Sequence, residues 1–210
     1  MISALEALDR LRAGNLRFTS DEEEPSMLTS QAARHQLTYG QEPFAIIFGC
    51  SDSRVPVEIV FDQGLGDLFV IRVAGNVVAP SQIGSVEFAA HQFGTRLVVV
   101  LGHSKCGAVT ATLEELERPE RNRSPNLRSI VDRIRPAVED LRDTDLKSDY
   151  DALLAHAVRA NIRASANQLR HGSQILEQLI SKDGLLVVGA EYSLETGQVD
   201  FFDGIPEQGA

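Results

Sequence analysis

Three short, almost continuous apolar runs, Phe44–Phe48, Leu68–Val73 and Leu97–Leu101, alternate with stretches of helical periodicity, and this alternation limits the possible folds more than any other feature of the chain. The runs are too short for core helices and rich in β-branched residues, so they read as strands buried on both faces. A fourth run, Leu185–Ala190, has the same character, and Val199–Phe202 follows the turn-like Glu195-Thr196-Gly197 as an edge hairpin partner. Helical patterns cover Ser3–Phe18, Met27–Leu37, Ser81–Phe93 and Gly107–Leu116, and two or three helices fill Asn126–Ile180. The polar stretch Arg118–Pro125, with two prolines, reads as a loop. Strands alternating with helices imply right-handed crossovers and a parallel sheet. The expected fold is therefore α/β, with about four mostly parallel strands plus an antiparallel edge strand, flanked by helices and preceded by an N-terminal helical arm.

The 210 residues suffice for one sizeable core, and 43% hydrophobic with 24% charged residues is ordinary for a globular chain. A single domain over 1–210 is expected, comprising an arm at 1–40, a central core at 41–116 and helices with the last strands at 117–210. Thirty acidic against twenty basic residues give a net charge of −10. That balance repels phosphate backbones and anionic lipid surfaces, so neither nucleic acid nor a membrane is expected as a partner. Glu6, Asp9, Arg10 and Arg12 interrupt any apolar stretch near the N-terminus, which leaves no signal-peptide pattern and makes the cytoplasm the expected location. Two cysteines in a reducing compartment point to metal binding or catalysis rather than a disulfide.

In an open parallel sheet, ligands gather outside the carboxyl ends of the strands. Cys50 follows the first apolar run, His103 the third, and Cys106 stands three residues later where a helix begins. A helix N-terminus lowers a thiol's pKa and makes the thiolate available. Two sulfurs and an imidazole suit Zn2+, and three protein ligands with a fourth position open mark a catalytic site. The other histidines, His35, His91, His156 and His171, fall in helical patterns or at a helix end and fit surface or packing roles.

Two thiolates neutralise a zinc ion's formal charge, so nearby groups must assist any chemistry there. Asp52 and Arg54 are the candidates. On an extended segment residues 50, 52 and 54 project alike, which lets Asp52 face the metal while Arg54 pairs with its carboxylate. With Arg54 disengaged, Asp52 could instead become a fourth ligand and close the site. A Cys–His nucleophilic pair and a redox pair remain alternatives. Gly64-Leu65-Gly66 lacks the context of a dinucleotide fingerprint, and Gly102 to Gly107 has Ala108 where a phosphate loop needs lysine.

Cys50-Ser51-Asp52-Ser53-Arg54-Val55 and Gly102-His103-Ser104-Lys105-Cys106-Gly107 resemble the two signature segments of the β-class carbonic anhydrases, and the similarity extends over Phe44–Val109, including Arg72-Val73-Ala74-Gly75-Asn76. The resemblance implies zinc on Cys50, His103 and Cys106, a catalytic dyad of Asp52 and Arg54, and attack of zinc-bound hydroxide on carbon dioxide to give bicarbonate. It also implies substrate contacts from Gln41, which orients, from Phe69, which lines the pocket, and from the backbone of Gly107. A homo-oligomer is expected, a dimer or a dimer of dimers, with the first helix reaching over its neighbour and pockets near the dimer seam. One subgroup binds regulatory bicarbonate with a tryptophan where this chain has Ile47, and the chain contains no tryptophan, so that control is not expected. Phe88 replaces a usual tyrosine and Ala74 a common valine, which bears on pocket shape. On the same scaffold the alternatives are hydrolysis of carbon disulfide or carbonyl sulfide, or a non-catalytic zinc sensor with a closed site.

Overall fold

The computed structural model describes residues 2–20, 34–35, 37–118 and 124–206. Its sheet contains β1 (Ala45–Gly49), β2 (Leu68–Arg72), β3 (Leu97–His103), β4 (Leu186–Tyr192) and β5 (Val199–Asp203) in the spatial order β2-β1-β3-β4-β5. The first four strands are mutually parallel, and β5 runs antiparallel to β4 at the edge. The expected mixed sheet is thus present. β2 ends one residue before the apolar run does, but the other strands end later than hydropathy marks: β3 continues through Gly102 and His103, paired with Glu191 and Tyr192 of β4. Polar residues that complete a ladder carry no apolar signal, so periodicity stops short of them.

Alternation along the central strands builds two core layers. Ile46 and Phe48 of β1, Val98 and Val100 of β3 and Val187 of β4 point to one layer, while Ala45, Ile47, Val99, Leu101 and Val188 point to the other. The second layer is covered by α1 (Ala4–Thr19) and the short α2 (Val57–Val60). Ser3 caps α1 by accepting from the Glu6 amide while Glu6 accepts from the Ser3 amide, a reciprocal capping box. Ala7, Leu8 and Leu11 form the stripe that seats α1 on its own sheet, while Leu5 and Leu16 stay exposed.

The first layer is covered by α3 (Pro80–Gln92), α4 (Gly107–Glu117), α5 (Pro125–Val138), α6 (Tyr150–His171) and α7 (Gln174–Lys182). Pro125 is the first residue of α5 rather than loop, since proline's fixed φ suits the first helical position and Ser124 caps the amide of Asn126. Residues 119–123 of the expected loop, and most of the helix expected over Met27–Leu37, lie outside the described residues; Leu37–Tyr39 form a 3-10 turn. Two further 3-10 turns join α5 to α6.

α6 approaches the sheet closely where side chains are smallest. A Cβ on Gly102 would lie 2.6 Å from Ile162 Cδ1, and one on Gly189 would lie 3.0 Å from Ile162 Cγ2. On either side of Ile162 along α6, Arg159 pairs with Glu191 and Asp200, and Arg170 bonds the Val187 carbonyl and Asp203. These arginines fasten the edge strand to the helix layer. Among the described residues, no helix is long and apolar enough to cross a membrane.

Candidate metal centre

Parallel pairing brings the carboxyl ends of β1 and β3 side by side, with Gly49 opposite Leu101. Cys50 follows the first strand and His103 closes the second, while Cys106 is the N-cap of α4. The two Sγ atoms and a ring nitrogen of His103 all lie within 4.8 Å of one another, and all three residues are buried.

The imidazole is oriented before any ion arrives. His103 Nδ1 lies 3.0 Å from the Ser104 carbonyl oxygen, which can only accept, so Nδ1 carries the proton. Nε2 therefore presents a lone pair, yet it is buried and has no hydrogen-bond partner. Such an orphan is costly in an apolar interior unless something electrophilic meets it. Ser104 is held in turn: its amide donates to Tyr192 O at 3.0 Å and its Oγ accepts from the Leu194 amide at 3.0 Å.

The sulfurs interact with each other. Cys50 is lowered to about 4, first by its hydrogen bond from Cys106 and further by the Gly75 amide, while burial opposes. Cys106 is pushed strongly upward by the hydrogen bond to Cys50 and by burial. The amides of Val109 and Ala108 in the first turn of α4 pull it down, as a helix start should, but the neighbouring sulfur outweighs them. A cation bound there would need both sulfurs as thiolates, so its binding would release protons. The donor set, two sulfurs and one unprotonated nitrogen in a buried pocket, fits a metal ion with nitrogen and sulfur preference.

Asp52 and Arg54 do pair, but not as neighbours on an extended segment. Residues 53 and 54 form a turn in which Asp52 O accepts from the Val55 amide at 3.1 Å. Asp52 Oδ1 takes the Arg54 amide at 3.0 Å and Nε at 2.9 Å, and Oδ2 takes Nη2 at 2.7 Å. Aspartate readily bonds its own backbone two residues on, and that preference won over the extended alternation. Oδ2 also lies 3.7 Å from His103 Nε2, so the carboxylate borders the cluster. The Arg54 side-chain bonds hold Asp52 far below the usual carboxylate range.

Other expected positions fall elsewhere within the chain. Gly107 begins α4 beside Cys106, exposed, with open space where a Cβ would stand. Gln41 precedes β1, at the opposite end of that strand from Cys50, and lines a cleft with Ile2, Arg10 and Phe93. Phe69 lies on the edge strand β2, half-buried, with ring centroids 6.1 Å from Phe88 and 5.9 Å from Phe93. Neither is brought to the cluster by its own chain. Conversely, Arg72 was not singled out from sequence, yet its Nε donates to Cys50 O at 2.9 Å and its Nη2 to Asp52 O. It sits at the end of β2, across from Gly49, where the parallel register could have drawn attention to it.

A family model described as carbonic anhydrase matches residues 45–199, most of the chain. A carbonic anhydrase of Mycolicibacterium smegmatis is 40% identical over 191 residues, covering 90% of this chain and 89% of that protein. Carbonic anhydrase 2 of Mycobacterium tuberculosis is 36% identical, covering 93% and 91%. Among solved structures, the β-carbonic anhydrase CcaA superposes with a TM-score of 0.69 at 27% identity, covering 95% of this chain and 93% of the other. CafA of Aspergillus fumigatus superposes with a TM-score of 0.74 over 97% and 92% at 24% identity, a likeness of fold.

Proposed function

This chain belongs to the β-class carbonic anhydrases, and from that premise we propose that Cys50, His103 and Cys106 hold zinc while Asp52 and Arg54 act as the catalytic dyad. The reaction is the reversible hydration of carbon dioxide to bicarbonate and a proton. Zinc bound there supplies a Lewis acid that brings the pKa of water towards neutrality. The observation that carries the reading is the buried, partnerless Nε2 of His103 facing two sulfurs, with an arginine-held carboxylate at its border.

The chain's own residues supply orientation. Asp52 stays ionised through the working pH range, so it can only accept hydrogen bonds. An acceptor at this place takes the hydrogen of a water-derived oxygen and leaves that oxygen's lone pairs for the carbon of carbon dioxide. Arg54 occupies both carboxylate oxygens, which keeps Asp52 from swinging in as a ligand and favours the open over the closed, sensor-like reading. The Gly107 amide, at a helix start, is suited to a developing bicarbonate oxygen. Water then displaces the product, and the proton leaves to buffer.

Gln41 and Phe69 serve this pocket from a second copy, because each lies away from the cluster of its own chain. The exposed Phe88 beside Phe69, and Leu5 and Leu16 on α1, offer apolar surface for such an assembly. β-Carbonic anhydrases of Sordaria macrospora are tetrameric, and a homo-oligomer is proposed here too.

Stopped-flow carbon dioxide hydration by zinc-quantified protein, scanned from about pH 6.5 to 9, tests the reading. Activity throughout is expected. Activity confined to the alkaline end would mean that Asp52 ligates zinc, and none at any pH with full zinc would point to a sensor or to another linear electrophile.

A further inference from the structure

We propose that Asn161, remote in sequence from every ligand, is a positioning residue for the metal centre, acting through the backbone of Gly75 on the Cys50 sulfur. The inference rests on the reading of Cys50 as a zinc ligand.

The Gly75 amide donates to Cys50 Sγ at 3.3 Å, inside the protein. That amide belongs to a tripeptide, Ala74–Asn76, with an uncommon shape: Gly75 has φ 67° and Asn76 φ 42°. Two successive left-handed residues persist only where their surroundings impose them. Packing imposes part of the shape, since a Cβ on Gly75 would lie 2.8 Å from Ile134 Cδ1 and 2.9 Å from Ala108 Cβ. α6 imposes the rest. Asn161 Nδ2 donates to Gly75 O at 2.8 Å, and Ser165, one helical turn later, donates to Asn76 O at 2.9 Å. Both side chains are almost wholly buried. They reach the tripeptide because Ile162 packs tightly over Gly102 and Gly189, which draws α6 down onto the sheet.

The consequence is electronic as well as steric. Two thiolates give a zinc ion so much negative charge that its acidity is blunted. An amide donating to one sulfur draws part of that charge away and fixes the sulfur's lone pairs. Anchoring the carbonyl of Gly75 holds its φ and ψ, and so holds the direction of its N–H. Partners of metal ligands commonly govern affinity by 10- to 100-fold.

The test compares wild type, Asn161→Leu and Ser165→Ala as holoproteins. Asn161→Leu keeps the branched, four-atom shape of the side chain and removes the donor. About tenfold faster zinc loss to a chelator is expected, together with a shifted sulfur-to-metal charge-transfer band in the cobalt form. Ser165→Ala, which frees a carbonyl one peptide farther from the sulfur, should stay within about threefold of wild type. An Asn161→Leu protein that is merely less heat-stable, with unchanged zinc release and an unchanged cobalt band, overturns the proposal. Wild type with no sulfur-to-cobalt band at all would instead refute the metal reading beneath it. Should Asn161→Leu not fold, the cadmium-113 forms of wild type and Asn161→Ala decide: the scalar coupling of the Gly75 amide proton to the metal through the Cys50 sulfur must be present in wild type and weaken in the variant. Its absence in wild type, or equal coupling in both, overturns the proposal as well.

Discussion

Replacing Asp52 by asparagine changes one atom's hydrogen-bonding sense, and the geometry says which. Oδ1 receives two donors, the Arg54 amide and Nε, so the amide oxygen of asparagine must take that place. The new NH2 then occupies the position of Oδ2, where it meets Arg54 Nη2 at 2.7 Å, donor against donor, and faces His103 Nε2 3.7 Å away. One charge-assisted hydrogen bond is lost, worth about 1.5–3 kcal/mol, and the acceptor that orients the reacting oxygen becomes a donor. A barrier raised by about 2.7 kcal/mol is a hundredfold fall in turnover. No ligand is altered, so zinc content should stay at one per chain. Stopped-flow hydration beside metal analysis checks both. Turnover within twofold of wild type at full zinc would refute the dyad, and loss of zinc would show that the carboxylate supports the metal directly.

Arg72→Met should weaken zinc binding about tenfold, because it frees the carbonyls of Cys50 and Asp52 that Arg72 gathers; chelator competition measures this, and unchanged affinity would count against that role. Gly75→Ala forces a Cβ against Ile134 and Ala108 at positive φ, and a loss of about 1–3 kcal/mol in denaturant unfolding is expected, with an unchanged midpoint contradicting the packing described. Arg54 depresses the Asp52 pKa, so the stabilisation from this pair is complete above the ordinary value of 3.8 and is lost as pH falls through the lower, folded value. A carboxyl carbon-13 titration should therefore find Asp52 still ionised at pH 3.8, where an ordinary aspartate is half protonated, and half-protonation there would remove the basis for treating it as a pure acceptor.

The three proposed ligands were legible because each lies in a short motif at a strand or helix end. Cys50 directly follows an apolar run, and His103 and Cys106 straddle a turn between strand and helix. The Asp52–Arg54 pairing was legible too, although its geometry was not, since a turn and an extended segment put both residues in reach of each other. What the sequence could not disclose is the support around these groups. Arg72 reaches back 22 residues to Cys50, and Asn161 and Ser165 reach back 86 and 89 to Gly75 and Asn76. No local spacing encodes such contacts; they follow from how closely α6 can approach two glycines. Gln41 and Phe69 were placed by resemblance to a family, and within one chain neither lies beside the cluster.

The extension of β3 two residues beyond Leu101, the partner of Gly49, has a consequence for how this molecule can vary. A strand advances about 3.3 Å per residue and reverses the side of each successive side chain. Inserting or deleting one residue within β1 or β3 would move a ligand by more than a metal–sulfur bond length and turn it to the wrong side of the sheet. Helices on the periphery can lengthen or shorten without such a penalty. The lengths of β1 and β3 thus act as a gauge against which insertions are tolerated or eliminated, and a library of single-residue insertions should yield active variants in the peripheral helices but none in those two strands or in the turns that carry Asp52, Gly75 and Cys106.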